Sequence, residues 1–160
     1  MKKLIILAGA LLVIIPLGTW WFSPDQVIMR RTKHLMEVLS LSEGSGGPLR
    51  QAKVFSMNAM LAPEVTLTIP GTSEANGTFD KEEMESAFSW ICQNAKSANF
   101  HITEFRNVEV DGDQAVVWVT VEGYMQLAFL RPVDGTHDVI ITWKKGGDGW
   151  RFEKVDWRSL

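Results

Sequence analysis

The chain has 160 residues, of which 46% are hydrophobic and 22% are charged, a composition that is typical of a globular protein and excludes a disordered one. Lys2 and Lys3 precede an apolar N-terminal run, and the chain after that point contains 14 basic and 19 acidic side chains. This gives a net charge of −5, so no basic face for nucleic acid is expected. Cys92 is the only cysteine, which excludes an internal disulfide and the cysteine-based metal sites.

An apolar run without any charge begins at Leu4 and ends at Phe22. As a helix of nineteen residues it would be about 28 Å long, close to the thickness of the hydrocarbon core of a bilayer. Trp20 and Trp21 fit the aromatic belt at a membrane interface, whereas the small residues that a signal peptidase needs are missing there. We therefore predict an uncleaved signal anchor at a membrane, with a periplasmic (extracytoplasmic) domain, and a cleaved secretory signal as the alternative.

A single domain is predicted for residues 23–160, because about 140 residues are enough for one core and too few for two. Its N-terminal half contains three predicted helices, in which apolar residues recur with helical spacing. Ser23 is expected to cap the first helix, and Asp80 with Glu83 forms a capping box for the third. The predicted apolar stripes are Ile28, Leu35, Val38 and Leu39 in residues 24–41; Leu49, Ala52, Phe55 and Ala59 in residues 48–61; and Met84, Ala87, Phe88, Ile91 and Ala95 after Asp80.

A short strand and four long strands are predicted from alternating patterns. Proline at both ends of the short strand suggests a sheet edge. Turn residues between the long strands predict an antiparallel meander, with a bend at Gly123 and a bulge near Glu153 and Lys154, where the alternation of the last strand changes phase. The predicted strands are residues 63–70, 100–110, 114–129, 138–145 and 150–158.

Three sequence motifs carry a resemblance to a known family: Asn76-Gly-Thr-Phe-Asp80, Val110-Asp-Gly-Asp-Gln-Ala-Val116, and Ile141-Thr-Trp-Lys-Lys-Gly with Gly149-Trp-Arg-Phe152 and Val155. With this order of helices and strands, the chain resembles the nuclear transport factor 2-like (SnoaL-like) superfamily from about residue 24 to residue 158. The resemblance implies an α+β fold, a cone-shaped curved antiparallel sheet packed on three N-terminal helices, here preceded by one transmembrane or signal helix. Members of the superfamily include lyases, isomerases and hydrolases, and also non-catalytic ligand binders and dimerisation modules.

The enzymes of that superfamily place an acidic residue, a histidine or a tyrosine inside the cone. In a regular strand, Glu104 and Arg106 would point inward as an acid–base or anion-binding pair, and His101 is a further weak candidate. A bulge at Phe105 would instead bury that ring and expose both charges. The histidines lack the spacing of metal ligands, and no phosphate-binding or dinucleotide-binding motif is present, so we predict no metal and no cofactor.

The two faces of the longest predicted strand, residues 114–129, predict two other sites. The inner face forms either a filled core or an apolar cavity for a small molecule, whereas the outer face is a candidate homodimer surface. Our leading hypothesis is a membrane-tethered, non-enzymatic domain that binds an apolar small molecule or a protein partner; the alternatives are a SnoaL-like lyase or isomerase and an accessory domain of an envelope complex. The inner residues are Val119, Val121, Met125, Phe129 and Trp143, and the outer residues are Trp118, Thr120 and Tyr124.

Overall fold

A computed structural model of the protein describes residues 22–70, 75–128 and 130–159. None of the helices in these ranges is long and apolar enough to span a bilayer. The predicted anchor lies outside the described residues, apart from Phe22 at its end. The helices and strands are α1 (Pro24–Leu39), α2 (Gly47–Met60), β1 (Leu61–Thr68), β2 (Gly77–Asp80), α3 (Lys81–Asn94), β3 (Ala95–Asp111), β4 (Gln114–Leu127), β5 (Val133–Gly146) and β6 (Gly149–Ser159).

All the described strands belong to one sheet, in the order β2-β1-β6-β5-β4-β3. The meander from β3 to β6 is antiparallel, as predicted. The prediction that the short strand lies at an edge is wrong, because β1 pairs with β2 on one side and runs parallel to β6 on the other. Strand β2 was missed because four residues are too few to show an alternating pattern.

Bulges give the sheet its local bends. In β6, Thr142 pairs with Lys154 and Trp143 with Phe152, so Glu153 is the extra residue and the predicted bulge is confirmed. In β3, the pairing with β4 shifts on both sides of Glu104 and Phe105.

Gly123 marks a close contact, and the pairing of β4 with β5 shows no register shift there. The Phe100 ring lies against it, 3.3 Å from the position that a Cβ would occupy. A larger residue at this position would therefore displace the ring.

The core lies between the helices and the odd-numbered face of β4 and β5. From α1 it contains Ile28, Leu35 and Val38, as predicted, and also Met36. The capping box of α3 is confirmed: the Glu83 amide donates to Asp80 Oδ1 at 2.8 Å, and the Asp80 amide donates to Glu83 Oε2 at 3.0 Å.

The predicted stripe of α2 is wrong, since Leu49 is 54% exposed and Phe55 is 64% exposed. The helix instead buries Met57 and Met60, near its C-terminal end. Both faces of α2 carry apolar residues, so helical periodicity alone could not decide which face packs on the core.

Candidate functional site

The inner face of the sheet is packed core. Val119, Val121 and Trp143 are at most 1% exposed, and Met125 is partly buried against the same cluster. Phe129, the remaining predicted ligand contact, lies outside the described residues. Since side chains from the helices fill the space over these residues, a ligand could reach them only if the core opened.

One polar link crosses this core. The Trp143 indole donates from Nε1 to Thr32 Oγ1 at 3.2 Å, and the Thr32 hydroxyl donates to the Ile28 carbonyl at 3.0 Å. Both the indole N–H and the threonine hydroxyl are therefore satisfied without water, as buried polar groups require. This link fixes the orientation of the largest side chain in the core and leaves it no free polar atom for a ligand.

The acid–base candidates of β3 lie at the surface. The Glu104 and Arg106 side chains are 64% and 46% exposed, and Phe105 packs between them against the core. This is the arrangement expected from a bulge, and it places neither charge inside the cone. Arg106 donates from Nη1 to Asp138 Oδ2 at 2.7 Å and lies 3.6 Å from Glu104.

Asp138 was not recognised in the sequence as part of this group. It also accepts a hydrogen bond from Thr120 Oγ1, at 3.2 Å, across the pairing of β4 with β5. Its position opposite Thr120 became evident only from the strand register. Arg106, Asp138 and Thr120 form a polar network on the side of the sheet away from the helices.

The histidines do not meet at a common site. His34 is exposed and lies 3.3 Å from Glu37, and His101 is exposed at the edge of two open clefts. The His137 ring is partly buried against Trp157, with 5.4 Å between the ring centroids. Among the described residues, no group of three histidine, cysteine or acidic side chains could hold a metal ion.

Cys92 is buried and its thiol is free of any disulfide. Burial raises the pKa of this thiol, and the nearby positive charges of Arg50 and Lys53 only partly offset the effect. A neutral, inaccessible thiol is a poor nucleophile. Cys92 therefore behaves as a small apolar core residue.

The even-numbered side of β4 and β5, which the helices do not cover, is here called the outer sheet face. Trp118 pairs across the strands with Ile140 and is partly exposed, and Tyr124 is 36% exposed. Thr120 is 7% exposed and is held by Asp138, so it is less available for contact than its position in the alternation suggested. The residues of the outer sheet face are Val116, Trp118, Thr120, Tyr124, Ile140 and Thr142.

The fold is that of nuclear transport factor 2-like proteins. A protein of this type from Cytophaga hutchinsonii shares 17% identity over 87% of this chain and 100% of its own, with a TM-score of 0.67. A protein of the same family from Streptomyces avermitilis, provisionally named a dehydratase, shares 14% identity over 85% and 95%, with a TM-score of 0.64. A nuclear transport factor 2-like superfamily protein from Salmonella enterica shares 13% identity over 84% and 89%, with a TM-score of 0.65.

No family model matches the chain, and no curated protein matches it in sequence. At identities of 13–17% the structural likeness establishes the fold alone.

Proposed function

On the premise of a nuclear transport factor 2-like fold, we propose that the protein is a non-enzymatic domain, held at a membrane by residues 4–22, which acts through contacts of its outer sheet face with a second copy of the chain. One observation carries the proposal: the helix-covered face of the sheet is packed core, whereas on the opposite face Trp118 and Ile140 are partly exposed and lie side by side. The apolar surface that a partner could bury therefore lies on the outer sheet face.

The outer sheet face has the layout of a protein interface. Its centre is apolar, with Trp118 and Ile140 side by side, and aromatic residues are enriched in interface cores. Charges of both signs surround this centre: Arg106 with Asp138, and Arg158 with Asp156 at 2.9 Å. A two-fold axis through such a face would bring positive groups of one copy opposite negative groups of the other.

The polar content of the interior supports a function without catalysis. Among the described residues, the buried polar side chains are Thr32 and Thr120, and both are hydrogen-bonded. Neither is an acid or a base near neutral pH. The lyase or isomerase alternative requires a titratable group enclosed in a cavity, whereas Glu104 is exposed and His101 is exposed at the edge of open clefts.

Analytical ultracentrifugation of residues 23–160 tests the dimer. We expect a concentration-dependent dimer, which Trp118→Arg abolishes because the substitution places a desolvated charge at the centre of the contact. Phe55→Arg is the control, since Phe55 is also an aromatic side chain at the surface, 64% exposed, but lies on helix α2. A strict monomer at high concentration, or equal effects of the two substitutions, would refute the proposed interface.

The membrane tether has a separate test. The full chain should remain in the membrane fraction after alkaline extraction, whereas a chain starting at Ser23 should be released. Protease added to spheroplasts should digest the domain, because we propose that it lies outside the cytoplasm. A domain that stays protected in intact spheroplasts would contradict the exported orientation without affecting the dimer.

A further inference from the structure

A cleft of about 500 Å³ lies outside the cone, between the start of α1, the end of α2 and the start of β6. Three arginines and one histidine line it: Arg30, Arg31, Arg151 and His34. The domain as a whole carries an excess of acidic residues, so the charge of this cleft is opposite to that of the molecule. No local sequence pattern groups these residues, because Arg151 lies far from the others in the chain and is brought to them only by the fold.

Two of the guanidinium groups are held close together in this cleft. Arg31 lies over the turn between β5 and β6, with its Nη2 atom 3.2 Å from the position of a Cβ on Gly149. Arg151 lies two residues after Gly149 in β6, and its side chain is only 24% exposed. The pKa of Arg31 is lowered, first by burial and then by the positive charge of Arg151.

Asp148 only partly offsets the charges of Arg31 and Arg151. Asp148 pairs with Arg151 through both carboxylate oxygens, accepting from Nε at 3.2 Å and from Nη2, and it also acts on Arg31 through its charge. Glu37 pairs with His34 at 3.3 Å. Bringing cations together at low exposure is unfavourable unless an anion is present, and the cleft is open to receive one.

We propose that this cleft binds a phosphate group, carried either by a soluble phosphate ester or by the headgroup of an anionic phospholipid. Guanidinium groups bind phosphate oxygens in pairs of parallel hydrogen bonds, and two of them at adjacent positions can hold the same phosphate. Val27 and Met60 in the lining provide an apolar surface for the organic part of the ligand. This inference does not depend on the dimer proposed above, since the cleft lies on a different side of the sheet.

Isothermal titration calorimetry with the full 160-residue chain in a nonionic detergent tests the proposal. The ligands are inorganic phosphate, dihexanoyl phosphatidylglycerol and dihexanoyl phosphatidylcholine. We expect saturable binding of phosphate, and a loss of affinity of about tenfold or more when Arg31→Gln and Arg151→Gln are combined. Arg131→Gln removes one positive charge just before strand β5, at the end of that strand away from the cleft, and should leave the affinity within about twofold.

Asp148→Asn gives a test in the opposite direction. It removes the carboxylate that competes for Arg151, so phosphate affinity should rise severalfold while the fold is kept. Thermal unfolding without ligand verifies that each variant is folded, so that a loss of binding in the double variant cannot be mistaken for unfolding.

The ligand series separates the two sources of phosphate. Tighter binding of phosphatidylglycerol than of inorganic phosphate assigns the cleft to lipid, whereas equal binding assigns it to soluble phosphate esters. The proposal is overturned if neither ligand binds saturably, if Asp148→Asn and the double variant both bind like the wild type, or if phosphatidylcholine binds as tightly as phosphatidylglycerol in every variant.

Discussion

At the scale of single residues, Thr32 connects helix α1 to the sheet. Its hydroxyl accepts from Trp143 and donates to Ile28, and its side chain is fully buried. Thr32→Val keeps the shape but leaves the indole N–H without an acceptor, so we expect a loss of about 1–3 kcal/mol in the free energy of unfolding. Urea denaturation measures this loss.

A double-mutant cycle provides the control. Trp143→Phe removes the donor itself, so adding Thr32→Val to that variant should cost clearly less than it does in the wild type. Strictly additive losses would show that the hydrogen bond does not contribute and that only packing was disturbed.

The thiol of Cys92 gives a second prediction at this scale. Because burial raises its pKa and blocks access, a thiol reagent at pH 8 should react about a hundredfold more slowly with folded protein than with protein in urea. Folding favours the neutral thiol, so its contribution to stability is present below the ordinary cysteine pKa and is lost as the pH rises through the raised pKa. In Cys92→Ala, the loss of stability at alkaline pH should be smaller; rapid labelling of the folded wild type would contradict this account.

Local patterns predicted some residues well and others poorly. The alternation of β6 predicted the bulge at Glu153, because two apolar pairs had to share one face. The orientation of Glu104 and Arg106 depended on whether β3 contains a bulge. The alternating pattern of β3 could not decide this, because its charged and apolar residues fit a regular strand as well as a bulged one. No sequence pattern indicated the structural role of Thr32, because its hydrogen-bond partner Trp143 lies 111 positions away in the chain.

At the scale of elements, the helix starts differ in how they are capped. Asp80 makes the side-chain bond of a capping box, whereas Ser23 makes no side-chain capping bond to α1. Asp80→Ala should therefore cost about 1 kcal/mol in the free energy of unfolding, and Ser23→Ala less than about 0.5 kcal/mol. Chemical denaturation of both variants tests the difference, and equal losses would contradict the assignment of caps.

The same sequence signal had different outcomes at these two helix starts. Both sites carry a capping residue followed three positions later by Gln26 or Glu83, and only the second forms the box. Proline at the start of α1 already fixes the backbone there without a side-chain bond. Helix position was therefore predictable from sequence, whereas side-chain capping was predicted correctly at α3 and not at α1.

At the scale of the whole molecule, the order of elements was sufficient to predict the layered α+β fold. The position of β1 was not predictable, because its parallel pairing with β6 joins segments about 90 residues apart and leaves no local pattern. The charged cleft was missed for the same reason, since Arg31 and Arg151 are brought together only when the sheet is complete.

The proposed dimer has a consequence for the stability of the whole domain. Association stabilises the folded state by mass action, so the melting temperature should rise with protein concentration. Calorimetry over a hundredfold range of concentration should show this rise for wild type and not for Trp118→Arg. A melting temperature independent of concentration in both proteins would contradict a dimer in that range.

The parallel pairing of β1 with β6 determines when this domain can finish folding during its synthesis. A ribosome produces β1 long before β6, so β1 has only the four-residue β2 as a sheet partner while the rest of the chain is being made. One edge of β1 therefore offers unpaired backbone groups until β6 emerges. Chains that terminate before Gly149 should expose this edge and be prone to aggregation, which makes the synthesis of β6 the step that protects the newly made domain.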